Sequence, residues 1–216
     1  CNNGQNLLTI TEELSNNATN LSDVFSVGRG ESFGFELFAK YKSTKLDATL
    51  SYTLSKTYFQ FNTLNFGQKY FPNFDRRHDL SLLGSYKLTN KINISSSIVF
   101  GTASPITMPV GLFYNLNYDL NNAVYSNTDE SYFVNYRNNY RLEPYFRNDL
   151  ALSFVKKKNK IEKKWEFSVF NSTARKNPFY YNVDVQYDLT NKTVSTQPLK
   201  RTFLNFIPAV NYSVNF

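Results

Sequence analysis

Apolar and polar side chains alternate with a period of two residues along most of this chain, and that pattern leaves little room for helices. Between residues 31 and 41, Phe33, Phe35, Leu37, Ala39 and Tyr41 share one parity, while Ser32, Gly34, Glu36 and Lys40 share the other, with Phe38 as the exception. Leu46, Ala48, Leu50, Tyr52 and Leu54 then alternate with Asp47, Thr49, Ser51, Thr53 and Ser55. The same alternation recurs at 78–88, 92–100, 146–154, 165–169 and 208–216. Successive side chains of a strand point to opposite faces, so period two over this length predicts strands with one apolar and one polar face.

The connections between these seven runs alternate between short and long. The short ones fall at 42–45, 89–91 and 156–164, and the long ones at 56–76, 102–143 and 172–205. A soluble sandwich gives no reason for that regularity. A transmembrane β-barrel does, because it has short turns on the periplasmic side, long loops outside, and lipid-facing strands of about 9–11 residues. The expected fold is therefore all-β: an antiparallel transmembrane barrel segment of about seven strands. Glu36, Lys40, Asp47, Asp79, Lys87, Arg147, Asp149 and Glu166 all lie on the polar parity. A charge on the lipid face at mid-membrane costs about 2–4 kcal/mol, so this placement fits, although a sandwich with one wet face would show it too. Tyr41, Tyr86, Phe154, Trp165 and Phe216 have outward parity next to the short turns and read as an aromatic girdle at one interface.

Composition excludes several classes. Of 216 residues one is Cys, one His and one Met, so neither an internal disulfide framework nor a Cys-based zinc site is available. Aromatics at 17% argue against disorder. The longest uncharged stretch, 92–118, is broken by Asn93, Pro105, Pro109 and Asn115, so no spanning helix is expected. The net charge is +7, and six lysines (Lys156, Lys157, Lys158, Lys160, Lys163, Lys164) set against Glu162 account for most of it. That cluster reads as a solvated turn near anionic headgroups rather than a nucleic-acid patch, so no nucleic-acid partner is expected.

Several stretches carry a family resemblance. FPNFDRRHDLSLLGSYKL (71–88), GRGESFGFEL (28–37), LSYTLSKTY (50–58) and TARKNPFYY (173–181) stand in this order. Together they resemble the C-terminal barrel region of TonB-dependent outer-membrane receptors of the Bacteroidota type. Such receptors have barrels of about 22 strands with a plugged lumen. The resemblance implies that residues 1–30 are an extracellular loop leading into the barrel and that 31–216 are its C-terminal strands and loops. The plug domain and TonB box would lie outside this chain. It also implies active uptake of a scarce nutrient (a siderophore, cobalamin, glycan or peptide), with no enzymatic activity and no cofactor. The implied partners are outer-membrane lipid and lipopolysaccharide, the barrel-assembly machinery through a terminal Phe216 signal, and the TonB system through the parts outside the chain. Residues 1–10 lack a basic start and an apolar core, which fits a C-terminal fragment. A plug-free porin or adhesin barrel, or a soluble glycan-binding β-sandwich, stands as the alternative.

Candidate ligand contacts come from the long 102–143 loop: Tyr114, Asn115, Tyr118, Tyr125, Tyr132 and Tyr136, with Asn138, Asn139 and Tyr140 beside them. Tyr supplies stacking area and a hydroxyl, which suit sugars, peptides or flat chelates. The competing reading is a hairpin that packs these rings on itself. Asp75, Arg77 and Asp79 share lumen parity, as do Arg147 and Asp149. Charges in such a setting generally need partners, so mutual pairing is expected before ligand selection. His78 and Asp79 are strand neighbours and point apart, which argues against a protease dyad. One His without companions gives no metal site. Gly28 and Gly30 precede no helix, so they do not form a phosphate loop. Cys1 could be read as a lipidated residue, but a barrel segment needs no such anchor.

Overall fold

The computed structural model describes residues 5–10, 25–114, 117–119, 124–126, 130–158, 161–188, 190, 193–203 and 205–215. The described chain is all-β, with a single short 3-10 turn at Asn65–Gly67. Eight strands form one antiparallel sheet: β1 (Gln5–Ile10), β2 (Phe25–Lys42), β3 (Leu46–Phe61), β4 (His78–Lys87), β5 (Ile92–Gly101), β12 (Tyr145–Lys158), β13 (Ile161–Phe170) and β16 (Ile207–Asn215). They pair in sequence order, as a meander with β1 and β16 at the two edges. Between β5 and β12 lie β6 (Pro105–Ile106), β7 (Gly111–Tyr114), β8 (Asn117–Asp119), β9 (Val124–Ser126), β10 (Glu130–Phe133) and β11 (Tyr140–Arg141). These six short strands pair among themselves. Between β13 and β16 lies a hairpin of β14 (Tyr180–Asp188) and β15 (Thr193–Arg201).

The seven alternating runs are seven consecutive strands of this sheet, but their limits differ from the sequence reading. β3 continues to Phe61, through what reads as loop, because β2 pairs with it as far as Gly28↔Phe61 and 62–77 folds back along its other edge. The described part of the lysine-rich segment expected to be a turn is strand: Lys156↔Lys163 and Lys157↔Glu162 are ladder pairs, and Lys160 lies outside the described residues. Within the stretch expected as a leading loop, β1 pairs with β2 from Gln5↔Gly30 to Ile10↔Phe25. The first two short turns are closed by hydroxyls: Leu46 N donates to Ser43 Oγ at 3.0 Å, and Ile92 N donates to Thr89 Oγ1 at 3.1 Å.

Register carries the apolar parity unbroken from strand to strand. Leu37↔Tyr52, Tyr52↔Leu80, Leu80↔Phe100 and Phe100↔Phe146 form one row, and Leu152↔Phe167 and Phe167↔Val210 continue another. Directly opposed residues share a face, so seven strands present one continuous apolar surface. That surface is open: Phe33 is 61% exposed, Phe35 58%, Trp165 47% and Val210 63%. The polar Ser96 and Asn148 on this face satisfy each other with a hydrogen bond of 2.9 Å. The first charges met on this parity are Glu31 and Lys56 toward the long loops, and Lys156 and Lys163 toward the short turns. The other face carries Ser51, Ser81, Ser85, Ser95, Ser97, Ser153 and Ser168 among its acidic and basic side chains.

The aromatic side chains nearest the short turns climb steadily across the sheet. The position of β4 in register with Tyr41 is Gly84, and Tyr86 lies two residues nearer the short turn. In β12 the position in that row is Leu150, and Phe154 lies four residues nearer its turn. The stagger of these aromatics is thus about one residue per strand. With about 3.4 Å rise per residue and about 4.8 Å between strands, it corresponds to a tilt of about 35°.

Candidate functional site

The long-loop end of the sheet is where the chain builds a compact structure. Beyond the Leu54↔His78 pair, β3 loses β4 as a neighbour, and 62–77 takes over its free edge. Ser55 N donates to Arg77 O at 3.0 Å, Tyr70 exchanges two 2.9 Å bonds with Phe59, and Thr57 N donates to Asp75 Oδ1 at 2.8 Å. The Asp75 carboxylate thus stands where a neighbouring strand would offer a carbonyl. Phe61, Leu64 and Tyr70 are buried together with Phe59 against them, and they form the one buried hydrophobic cluster among the described residues. The turn at the loop's tip holds Asn65 at φ 52 and Phe66 at φ 56, left-handed values rare for a bulky side chain, and Phe66 stays exposed.

The second excursion is tied to this loop by Arg141. Its guanidinium pairs with Asp75, whose side chain is 0% exposed, and Nη1 also reaches Asp75 O at 3.3 Å and Ala103 O at 3.2 Å. The same guanidinium lies 4.7 Å from the Phe71 ring centre. Arg137 N donates to Asn65 Oδ1 at 2.7 Å, and Asn138 Nδ2 donates to Phe71 O at 2.6 Å. The third excursion is tied to the second: Lys200 pairs with Glu143 at 2.6 Å, and Asn177 bonds both Phe146 N at 3.0 Å and Phe146 O at 2.7 Å. Burial pushes the Tyr181 phenol above its ordinary 10.0, with backbone N–H donation from Glu143 opposing and the Glu143 charge adding to the rise.

Two concavities follow from this arrangement. One, of about 410 Å³, opens between the second and third excursions against Met108, Val110, Asn135, Tyr140 and Pro198. Asn139 also lines it, but its amide is committed: it accepts from Met108 N at 2.8 Å and donates to Met108 O at 2.9 Å and Asn135 Oδ1 at 2.7 Å. The other, of about 480 Å³, lies on the polar face over Ser85, Ser95, Ser97, Asp149 and Ser168.

The sequence-derived candidates distribute as follows. Tyr136 is exposed beside the first concavity, with its backbone N bonded to Asn135 Oδ1 at 2.8 Å. Tyr114, Tyr118, Tyr125 and Tyr132 lie on β7, β8, β9 and β10, where Tyr118 is directly opposite Tyr125 and Tyr132 opposite Leu112. Asn115 and Phe216 lie outside the described residues. Tyr41, Tyr86, Phe154 and Trp165 share the apolar face near the short turns, and Trp165 packs 4.5 Å from Tyr212. Asp79 lies 3.6 Å from Arg76, and Arg147 Nε lies 3.1 Å from Asp149. Asp75 is paired, as expected of a charge in that setting, but by a residue outside the group that shares its parity. Residues 62–77 are not strand, so parity does not extend above His78, and the partner of Asp75 is Arg141. Arg77 instead stacks 5.7 Å from the Phe71 ring, with its Nε buried and unbonded. His78 Nδ1 is bonded to Tyr52 Oη at 2.8 Å and faces away from Asp79.

Sequence reasoning missed Arg141, whose only mark in the sequence is to be one of two arginines, with Arg137, inside a Tyr- and Asn-rich loop. Among the described residues no group of three His, Cys, Asp or Glu side chains converges as a metal site. Comparison with protein-family models, with curated proteins and with solved structures returns no match to this chain.

Proposed function

We propose that this chain forms wall and outer loops of an outer-membrane β-barrel of the TonB-dependent receptor type that its motifs resemble. In that role it serves the active uptake of a scarce nutrient. The observation that carries the reading is the continuous apolar face, open to the surroundings across seven strands, with a serine-rich polar face behind it. Six strand spacings and the rise from Leu80 to Tyr86 give a projected area of about 600 Å². The accessible area of the side chains exceeds that projection, and the largest patch on a typical soluble monomer is only about 300–600 Å². A soluble sandwich would cover this face with a second sheet, and the described residues supply none.

Three further features support the reading. The tilt of about 35° lies within the range for membrane barrels. From Tyr41 to Phe33, and from Leu46 to Leu54, each strand runs eight residues without a charge on the apolar parity. At that tilt the run spans about 22 Å of membrane, close to the apolar band of about 25 Å that such barrels show. The structured excursions all lie at one end of the sheet, where a receptor would meet its ligand.

Trp165, the single tryptophan, provides the test. With the chain reconstituted into vesicles, brominated acyl chains should quench its emission, and a water-soluble quencher should not. Emission that responds only to the aqueous quencher refutes membrane placement. For the receptor assignment, uptake by cells carrying the protein should stop when TonB is removed. Uptake that continues without TonB points to a porin instead.

A further inference from the structure

The lysine-rich β12–β13 hairpin differs sharply between its two faces. On the polar side Lys157 pairs with Glu162 at 2.6 Å and Lys164 pairs with Glu166 at 2.6 Å. On the apolar side Lys156 stands directly opposite Lys163, and Lys158 follows two residues on with Ile161 opposite it. These three lysines are exposed and have no carboxylate partner among the described residues. Like charges directly opposed across a ladder are destabilising unless something else neutralises them. One row away on the same face lie Phe154, Trp165 and Tyr212, in register with one another. The other short turns show nothing comparable: Lys42, Lys45, Lys87 and Lys91 all fall on the polar parity.

We propose that Lys156, Lys158 and Lys163 form a docking surface for the phosphodiester headgroup of an anionic phospholipid, whose acyl chains lie along the Phe154–Trp165–Tyr212 row. The proposal rests on the membrane reading above. Long lysine stems cover apolar surface while their ammonium groups reach outward, so side chains just past an aromatic row arrive at headgroup depth. Charge complementarity selects the occupant. Three unneutralised cations beside an apolar row match an anion that carries its own apolar tail, and free phosphate would leave that row uncovered. The glutamates on the opposite face neutralise the lysines there and keep the attraction on the outer side.

Trp165 lies one row from the lysines and reports directly on the lipid bound there. In mixed vesicles, its quenching by brominated phosphatidylglycerol is compared with quenching by brominated phosphatidylcholine at equal mole fraction. The wild type should prefer phosphatidylglycerol, with up to about fivefold in relative binding contributed by each lysine near the surface. The Lys156→Gln/Lys158→Gln/Lys163→Gln variant should quench equally with both lipids, and so should the wild type at high salt. The Lys157→Gln variant should keep the preference, because that residue faces the other way. Equal quenching by both lipids in the wild type overturns the headgroup site and leaves the membrane reading intact. Loss of the preference on adding inorganic phosphate, where sodium chloride at the same low ionic strength leaves it intact, also overturns it, in favour of a free-phosphate site. Absence of quenching by either lipid overturns the membrane reading itself.

Discussion

Adjacent residues in the middle of β4 separate the apolar face, lipid-facing on the proposed reading, from the polar one, and a single pair of substitutions tests the whole orientation. Leu82 lies on the apolar parity, opposite Leu50 and Ile98, and Leu83 lies on the polar parity, opposite Thr49 and Ser97. Leu82 is four residues from Tyr86, or about 14 Å along the strand and about 11 Å along the membrane normal at a tilt of about 35°. That places it near the centre of an apolar band about 25 Å tall, so Leu82→Lys should cost about 2–4 kcal/mol, while Tyr86→Lys at the interface should cost about 0–1 kcal/mol. Leu83 is 51% exposed on the polar face, and Leu83→Lys should stay within about 0.5 kcal/mol. The assay is reversible urea unfolding in lipid vesicles, followed by Trp165 emission. A cost of about 3 kcal/mol lowers the folding constant by roughly two orders of magnitude. In a soluble sheet with both faces wet, the two lysines would cost the same. Equal costs at Leu82 and Leu83 would refute the assignment of faces.

Other substitutions probe the loop end and the polar wall. Arg141→Met leaves the fully buried Asp75 carboxylate unpaired and should destabilise by about 2–4 kcal/mol, read as faster proteolytic cleavage within 62–77. Arg141→Lys should rescue only part of this, because one ammonium does not reproduce the contacts to Asp75 and Ala103 together. Gly28→Ala would place a Cβ 2.3 Å from the Phe61 ring and 2.6 Å from Gln60 O, so a loss of about 1–3 kcal/mol should appear in denaturant melts. The phenol of Tyr181 should titrate above 10.0 by ultraviolet difference absorbance. Its folded value is raised, so its contribution to stability is complete below pH 10 and fades as pH climbs through the folded value; Tyr181→Phe removes that dependence. Ser97→Trp on the polar wall should be tolerated within about 0.5 kcal/mol, because Ser97 borders open volume.

Alternation alone was enough to locate seven strands and assign their faces, because period two is a local property of the backbone. The features it missed are long-range. Arg141 and Asp75 are 66 residues apart, and nothing near either one marks the other as its partner. The extension of β3 to Phe61 was hidden because its new partner is an irregular loop, joined through the Asp75 carboxylate and the Phe59–Tyr70 bridge. β1 is a six-residue strand with its own pairing to β2, too short for alternation to stand out. The lysine cluster read as a turn because charge runs usually are turns, and the ladder Lys156↔Lys163 shows two strands continuing through it. Among the loop tyrosines, composition could not separate Tyr140, which lines a concavity, from the rest.

Parity and stagger together say more about the wall than either does alone. Parity is shared with sandwiches, and stagger is shared with any strongly twisted sheet. On the proposed reading, a stagger of about one residue per strand along a sheet with an open apolar face corresponds to an arc of a tilted barrel. The eight strands do not close that arc by themselves. The pairing of β1 lies toward the long loops, opposite Phe25 to Gly30, whereas β16 pairs with β13 from Glu162 to Phe170, toward the short turns. The polar face also argues against a small closed barrel, because an eight-stranded interior is filled by its own side chains. Here serine is the commonest residue of the polar face, with about 480 Å³ open over part of it. A wall of small polar side chains suits a wide lumen, in which the space is occupied by something other than this sheet. On this reasoning the receptor-type reading requires further strands beside β1 and β16, and among the described residues no strand pairs with the outer edge of either.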